Sequence, residues 1–106
     1  MHLITYRFKL KPGKTCYDFE VCLKPFRTVQ IAHGMIHHSI RPGEKPNTVI
    51  HQFFATNLKF WQRYSKGVKA RELALFLNDI VESAGMALKI RPLLPKTFPL
   101  GKIFCN

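Results

Sequence analysis

Leu3-Ile-Thr-Tyr-Arg-Phe-Lys-Leu10 and, beyond Pro12-Gly13, Thr15-Cys-Tyr-Asp-Phe-Glu-Val-Cys-Leu-Lys24 are the stretches on which the fold turns. In the first, Ile4, Tyr6, Phe8 and Leu10 alternate with Thr5, Arg7 and Lys9. Period two with aromatic and branched residues predicts a half-buried strand. Pro12-Gly13 signals a turn. The second stretch alternates as well, Tyr17, Phe19, Val21 and Leu23 against Asp18 and Glu20. Two alternating runs across a turn predict a hairpin with Tyr6, Phe8, Tyr17 and Phe19 inward. Arg7 and Lys9 would then face Asp18 and Glu20, and opposite charges across a strand pair help it modestly.

Outward from this hairpin, Pro25 ends the second strand. Val29 and Ile31 around Gln30 predict a third strand over 28–33, with Gly34 as a bulge and 35–40 as its continuation. Residues 41–46 are a loop, and Val49, His51 and Phe53 alternate through a strand over 48–55. Asn57 is a candidate N-cap for a short helix over 58–65, and Gly67 interrupts it. The main helix is expected over about 68–84. Leu73, Phe76, Leu77, Ile80, Val81 and Ala84 share one face there, and Gly85 stands at the end. A last strand is expected over 86–91. Residues 92–106 carry Pro92, Pro95 and Pro99 and form an apolar C-terminal arm. The sum is one α+β domain over 1–106, a mostly antiparallel sheet of four or five strands with helix 68–84 on one face.

The totals limit the class of molecule. The 106 residues are 46% hydrophobic, which suffices for a core without disulfides or metal. The net charge is +11, and it is spread along the chain: eight cations against three acids in residues 1–53, nine against three in 54–106. A surface this positive attracts polyanions, with nucleic acid first and an acidic protein or anionic membrane surface as rivals. Cys16 and Cys22, placed in one strand, stand roughly 20 Å apart, too far for a bridge. With a third cysteine left over, an intracellular, reducing, cytoplasmic location is expected. No signal-peptide pattern opens the chain, and no apolar run approaches the ~18 residues of a membrane span.

Three constellations carry candidate chemistry. In Lys59-Phe-Trp-Gln-Arg-Tyr-Ser-Lys66 and onward to Arg71, the cations Lys59, Arg63, Lys66, Lys69 and Arg71 enclose Trp61 and Tyr64 with no acid among them. Cations neutralise phosphates and aromatics stack on unpaired bases. The second is His33, His37 and His38 with His51 on a neighbouring strand. Histidines can act as acid and base in a metal-free ribonuclease. His37-His38-Ser39 resembles one half of the paired His-x-Ser/Thr motif of the two-histidine phosphoesterases, but Gln52-Phe53 after His51 does not supply the other half. The third runs from Tyr17 through Cys22 and Phe26 to His33-x3-His37 and Gly43-Glu-Lys-Pro46. It resembles a rearranged Cys2His2 zinc finger. Phe19 occupies the first cysteine's place and the spacing is wrong, so no metal and no cofactor are expected.

The leading expectation is therefore binding of RNA or single-stranded nucleic acid through Lys59, Trp61, Arg63, Tyr64, Lys66, Lys69 and Arg71, joined by Arg7 and Lys9 on the hairpin. The alternative is a protein-interaction module, an inhibitor or accessory subunit. It would dock on an acidic partner through Leu93, Leu94, Phe98 and Phe104. A small ribonuclease built on the histidines comes third, and no reaction is read directly from the residues.

Overall fold

The computed structural model describes residues 1–82 and 86–93. In chain order they form β1 (His2–Lys9), α1 (Cys16–Leu23), a short 3-10 turn (Lys24–Phe26), α2 (Arg27–Ala32), β2 (Met35–Pro42), β3 (Thr48–Ala55), α3 (Leu58–Ser65), α4 (Val68–Leu77) and β4 (Ala87–Pro92). The four strands make one sheet in the order β2-β3-β1-β4, every pairing antiparallel. This is the β-α-β-β-α-β succession of ferredoxin-like folds. The α+β class, the antiparallel sheet and a helix packed on one face all hold.

The hairpin does not form. Residues 16–23 are helical, and β1 pairs instead with β3 (Tyr6↔His51, Phe8↔Val49) and β4 (Tyr6↔Leu88). Both edges of β1 are thus taken by strands far away in sequence. The local reason lies at Thr15, whose hydroxyl accepts from the Asp18 N–H while the Asp18 carboxylate accepts from the Thr15 N–H at 2.8 Å. This reciprocal cap nucleates a helix. Asp18 is therefore spent on the cap and does not face Arg7 or Lys9. Phe19, Leu23 and Phe26 fall at helical spacing and are buried, whereas Tyr17, expected inward, is 72% exposed.

The expected strand over 28–33 is α2, which buries Gln30, and Gly34 at φ +79° turns the chain out of it into β2. The bulge lies three residues later. There His37 and His38 together oppose the single residue between the Ile36↔Phe54 and Ser39↔Gln52 pairs, and His37 takes φ +55°. Strand β3, helix α3 with its Asn57 cap, and the break at Gly67 stand where the sequence puts them. Helix α4 ends at Leu77, short of the expected 84. Val81 leaves it to bridge Leu10, while the expected helix end at Ala84 and Gly85 lies outside the described residues. So does the arm beyond Leu93.

All four helices lie on one face of the sheet, which receives Ile4, Tyr6, Phe8, Val49, His51, Phe53 and Ala55. Two apolar clusters form there. One joins Leu10, Phe19, Leu23, Phe26 and Val49 to Leu73, Leu77 and Val81. The other joins Ile4, Met35, Phe53 and Ala55 to Trp61 and Tyr64 of α3. They do not merge into one core, and the space between them becomes the site.

Candidate functional site

A cavity of about 400 Å³ occupies that seam. Its sheet wall is Tyr6, Phe8, His51 and Phe53, and its helix wall includes Phe19 and Leu23 of α1, Gln30 of α2, Tyr64 of α3, and Ala70, Leu73, Ala74 and Leu77 of α4. Glu82 and Met86 stand at one end. A mostly apolar space of this size with a few convergent polar groups is the usual form of a small-molecule site.

The polar groups are built by the strand alternation. His51 faces the helices because Val49 and Phe53 do, and only 4% of it is exposed. Its Nε2 lies 3.0 Å from Nδ1 of His38, whose Nε2 lies 2.9 Å from the Met35 carbonyl oxygen. A carbonyl only accepts, so His38 Nε2 carries its proton. Neutral His38 then accepts at Nδ1, and His51 donates from Nε2, which leaves the lone pair of the cavity-wall ring on Nδ1. The bulge makes this possible, since without the extra residue the His38 side chain would face the opposite side of the sheet.

Burial drives His51 down to about 3, with His38 and then Arg27 adding to the fall. His38 is lowered too, mainly by burial and partly by Arg27, against the Met35 carbonyl, which favours its cation. Both imidazoles are thus neutral near pH 7. Tyr6 is pushed up to about 12 by burial, and the nearby Trp61 N–H pulls the other way without reaching hydrogen-bond geometry. Tyr64 is raised for the same reason, although its oxygen accepts from Gln30 Nε2 at 3.2 Å. Gln30 Oε1 and Trp61 Nε1 are buried without partners. His51, Tyr6, Tyr64 and Gln30 therefore offer neutral donors and acceptors to the cavity at neutral pH. Among the described residues no three His, Cys, Asp or Glu come together as metal ligands.

The residues expected to contact nucleic acid are divided by the structure. Trp61 and Tyr64 are 4% and 7% exposed and belong to the core, so neither ring is free to stack on bases. Lys59, Arg63, Lys66, Lys69 and Arg71 are the wet side of α3 and α4; Arg63 lies over the Phe60 ring and Lys69 pairs with Glu72 at 3.2 Å. Arg7 and Lys9 lie on the opposite, helix-free face of the sheet, so they do not join that group. Of the histidines, only His38 and His51 come together. His33 Nδ1 bonds the Val29 carbonyl and His37 is exposed beside Phe54. Of the proposed docking residues, Leu94, Phe98 and Phe104 lie outside the described residues; the Leu93 N–H donates to the Met1 carbonyl. The sequence signals passed over were a histidine at an inward position of an apolar strand and a glutamine flanked by Val29 and Ile31.

No family model matches the chain, and no curated protein sequence does. Solved structures are similar over nearly the whole length. SnoaB from Streptomyces nogalater, a cofactor-independent oxygenase, shares 16% identity at a TM-score of 0.66, with 89% of this chain and 96% of that one covered. A putative antibiotic biosynthesis monooxygenase from Nitrosomonas europaea shares 12% at 0.69, covering 89% and 99%. Rv0793 from Mycobacterium tuberculosis shares 10% at 0.68, covering 88% and 94%. The fold is thus that of the antibiotic biosynthesis monooxygenase-like proteins. These findings overturn the expectation of nucleic-acid binding, and with it the acidic-protein and ribonuclease alternatives. The aromatics meant for bases, Trp61 and Tyr64, are buried.

Proposed function

We propose that the chain binds a small, largely apolar ring compound bearing a hydroxyl group in the cavity between sheet and helices. The observation that carries this is the cavity itself: about 400 Å³ walled by Tyr6, Phe8, Phe19 and Phe53, with the neutral His51 in the sheet wall. Aromatic walls favour a flat ligand. A neutral imidazole with a lone pair on Nδ1 favours a ligand that donates a hydrogen bond. One domain, 1–106, working inside the cell belongs to this proposal, supported by the free thiols Cys16 and Cys22. No helix among the described residues is long and apolar enough to cross a membrane.

Trp61, the single tryptophan, borders the site through Tyr64 and Tyr6 and is a built-in reporter. Titration with 4-nitro-1-naphthol, a chromogenic bicyclic phenol, should quench its emission saturably. Ala70→Phe, which fills part of the cavity, should weaken that binding about tenfold or more, the cost of removing the space a ring needs. Quenching that never saturates, or that ignores Ala70→Phe, removes the cavity as the site.

A second proposal, that the bound molecule is oxygenated, draws support from the likeness to SnoaB and to the Nitrosomonas protein. Oxygen uptake with a fused-ring hydroquinone, without added metal or flavin and above the enzyme-free rate, is the measurement that supports it. Uptake equal to the enzyme-free rate removes it.

A further inference from the structure

We propose that His51 and His38 form a proton relay leading from the cavity to the half-buried ring of His38 at the β2 bulge, with His51 as the group that takes the hydroxyl proton of a bound phenol or enol. The inference rests on the cavity being a small-molecule site.

The geometry is a line from the cavity through two rings. His51 borders the cavity, His38 Nδ1 is 3.0 Å from its Nε2, and His38, half-buried on the bulge, reaches the edge strand of the sheet. The bond between them already has the polarity a relay needs, His51 donating and His38 accepting. The ligand O–H bond breaks as an N–H bond forms at His51 Nδ1. The His51 Nε2–H bond breaks as its proton joins His38 Nδ1. His51 ends neutral, now donating from Nδ1 to the ligand oxyanion. His38 carries the charge, its new Nδ1–H donating back to His51 Nε2 and its Nε2–H staying on the Met35 carbonyl, so that its cation balances the oxyanion.

Alone, a histidine held near 3 is a poor base for anything at neutral pH. The relay removes that obstacle, because His51 changes tautomer and never becomes charged. The cation appears only on His38, the less buried ring, where the charge costs less. The groups facing the pair are Arg27 from α2 and Tyr6 from β1, besides Phe19 and Phe53, which carry no charge. Arg27, which makes no ion pair among the described residues, raises the cost of that cation, and the Met35 carbonyl that accepts from His38 Nε2 lowers it.

The test uses 4-nitro-1-naphthol, whose colour reports its ionisation, and ring nitrogen shifts of 15N-histidine-labelled protein. Without ligand, His51 should be protonated at Nε2 and bare at Nδ1. With the probe bound near pH 7, His51 should carry its proton on Nδ1, and the probe should ionise at least about one pH unit below its value in water, a tenfold bias toward the anion. His38→Gln keeps an acceptor for His51 Nε2–H but cannot take the proton. Trp61 quenching should persist in that variant while ionisation of the bound probe returns toward its value in water. A probe that quenches Trp61 yet leaves His51 protonated at Nε2, or an ionisation shift that survives His38→Gln, overturns the relay and leaves the cavity standing. No quenching at all overturns both.

Discussion

The two faces of the one sheet are chemically opposite. The helix-covered face carries Ile4, Phe53 and the neutral His51, and among the described residues no cation lines the cavity. The open face carries Arg7, Lys89 and Arg91 around Thr5 and Gln52, whose side chains bond each other at 2.9 Å, and Arg41 reaches the same Gln52. Alternation along each strand sorts the residues, so adjacent positions such as Gln52 and Phe53 live in different solvents. The lesson concerns the +11 charge. It belongs to the outer surfaces, where it shapes the field around the molecule, and the cavity proposed as the site is lined by no cation among the described residues.

The sharpest way to break this contrast is to put the same kind of change on each face. Phe53 is fully buried in the cluster with Ile4, Trp61 and Tyr64, and Phe53→Asp would bury a carboxylate without a partner. A loss of more than about 4 kcal/mol is expected, enough to leave no folded protein. Arg7→Glu on the open face should stay within about 0.5 kcal/mol of the parent in denaturant unfolding. Equal losses would show that the faces are wrongly assigned.

The next effect is the acid limb of stability. His51 has a native pKa near 3 against 6.5 when unfolded, so between those values the unfolded chain binds the extra proton. Stability from His51 is therefore fully present above about pH 6.5 and falls away as pH drops toward 3, by up to roughly 4–5 kcal/mol. His38, lowered in the same direction, adds to the same limb. Replacing His51 with Gln should flatten the fall of melting temperature between pH 6.5 and 3. A curve as steep as the parent's would place the acid sensitivity elsewhere.

Capping supplies a smaller and more local effect, and it bears on what the sequence could reveal. Thr15→Ala removes the hydroxyl that bonds the Asp18 N–H and should cost about 1 kcal/mol by thermal or denaturant unfolding. No change would mean that α1 is held by packing alone. Strands β1, β3 and β4 and helix α3 were legible because each shows one period only, with turn or cap residues at its ends. Residues 15–24 show two. Tyr17, Phe19, Val21 and Leu23 fit period two, while Phe19, Leu23 and Phe26 fit the helix, and the deciding residues were the polar pair Thr15 and Asp18. The same ambiguity hid α2, since Val29 and Ile31 alternate around Gln30. A strand over 15–24 paired with β1 excludes the observed pairing of β1 with β3 and β4, which spans most of the chain. The site was lost with it, because the cavity needs α1 and α2 over the sheet. On α3, charge and aromatics were read as one surface although Lys59, Arg63 and Lys66 point away from Trp61 and Tyr64.

The smallest expected effect lies on the open face, and it tests whether the charge there is used at all by the fold. On this face Lys89 is paired with Thr5, Arg91 with Leu3, and Arg7 with Ala87, so no two cations are directly opposed. They are nonetheless diagonal neighbours around one shallow depression, and among the described residues no acid lines it. Diagonal cations some 7–8 Å apart repel weakly, and salt screens that repulsion over a Debye length of about 8–10 Å. The parent protein should therefore gain a few tenths of a kcal/mol as salt rises from roughly 0.01 M to 0.15 M. Arg7→Gln, Lys89→Gln and Arg91→Gln combined should be slightly more stable than the parent at low salt and should lose that gain at high salt. The same triple variant should leave quenching of Trp61 by 4-nitro-1-naphthol unchanged, because the depression and the cavity are on opposite sides of the sheet. A variant that is less stable at low salt would mean that these cations are paired with something on this face. One that alters probe binding would mean that the two faces communicate through β1 or β3, the strands that contribute residues both to the cavity and to the depression.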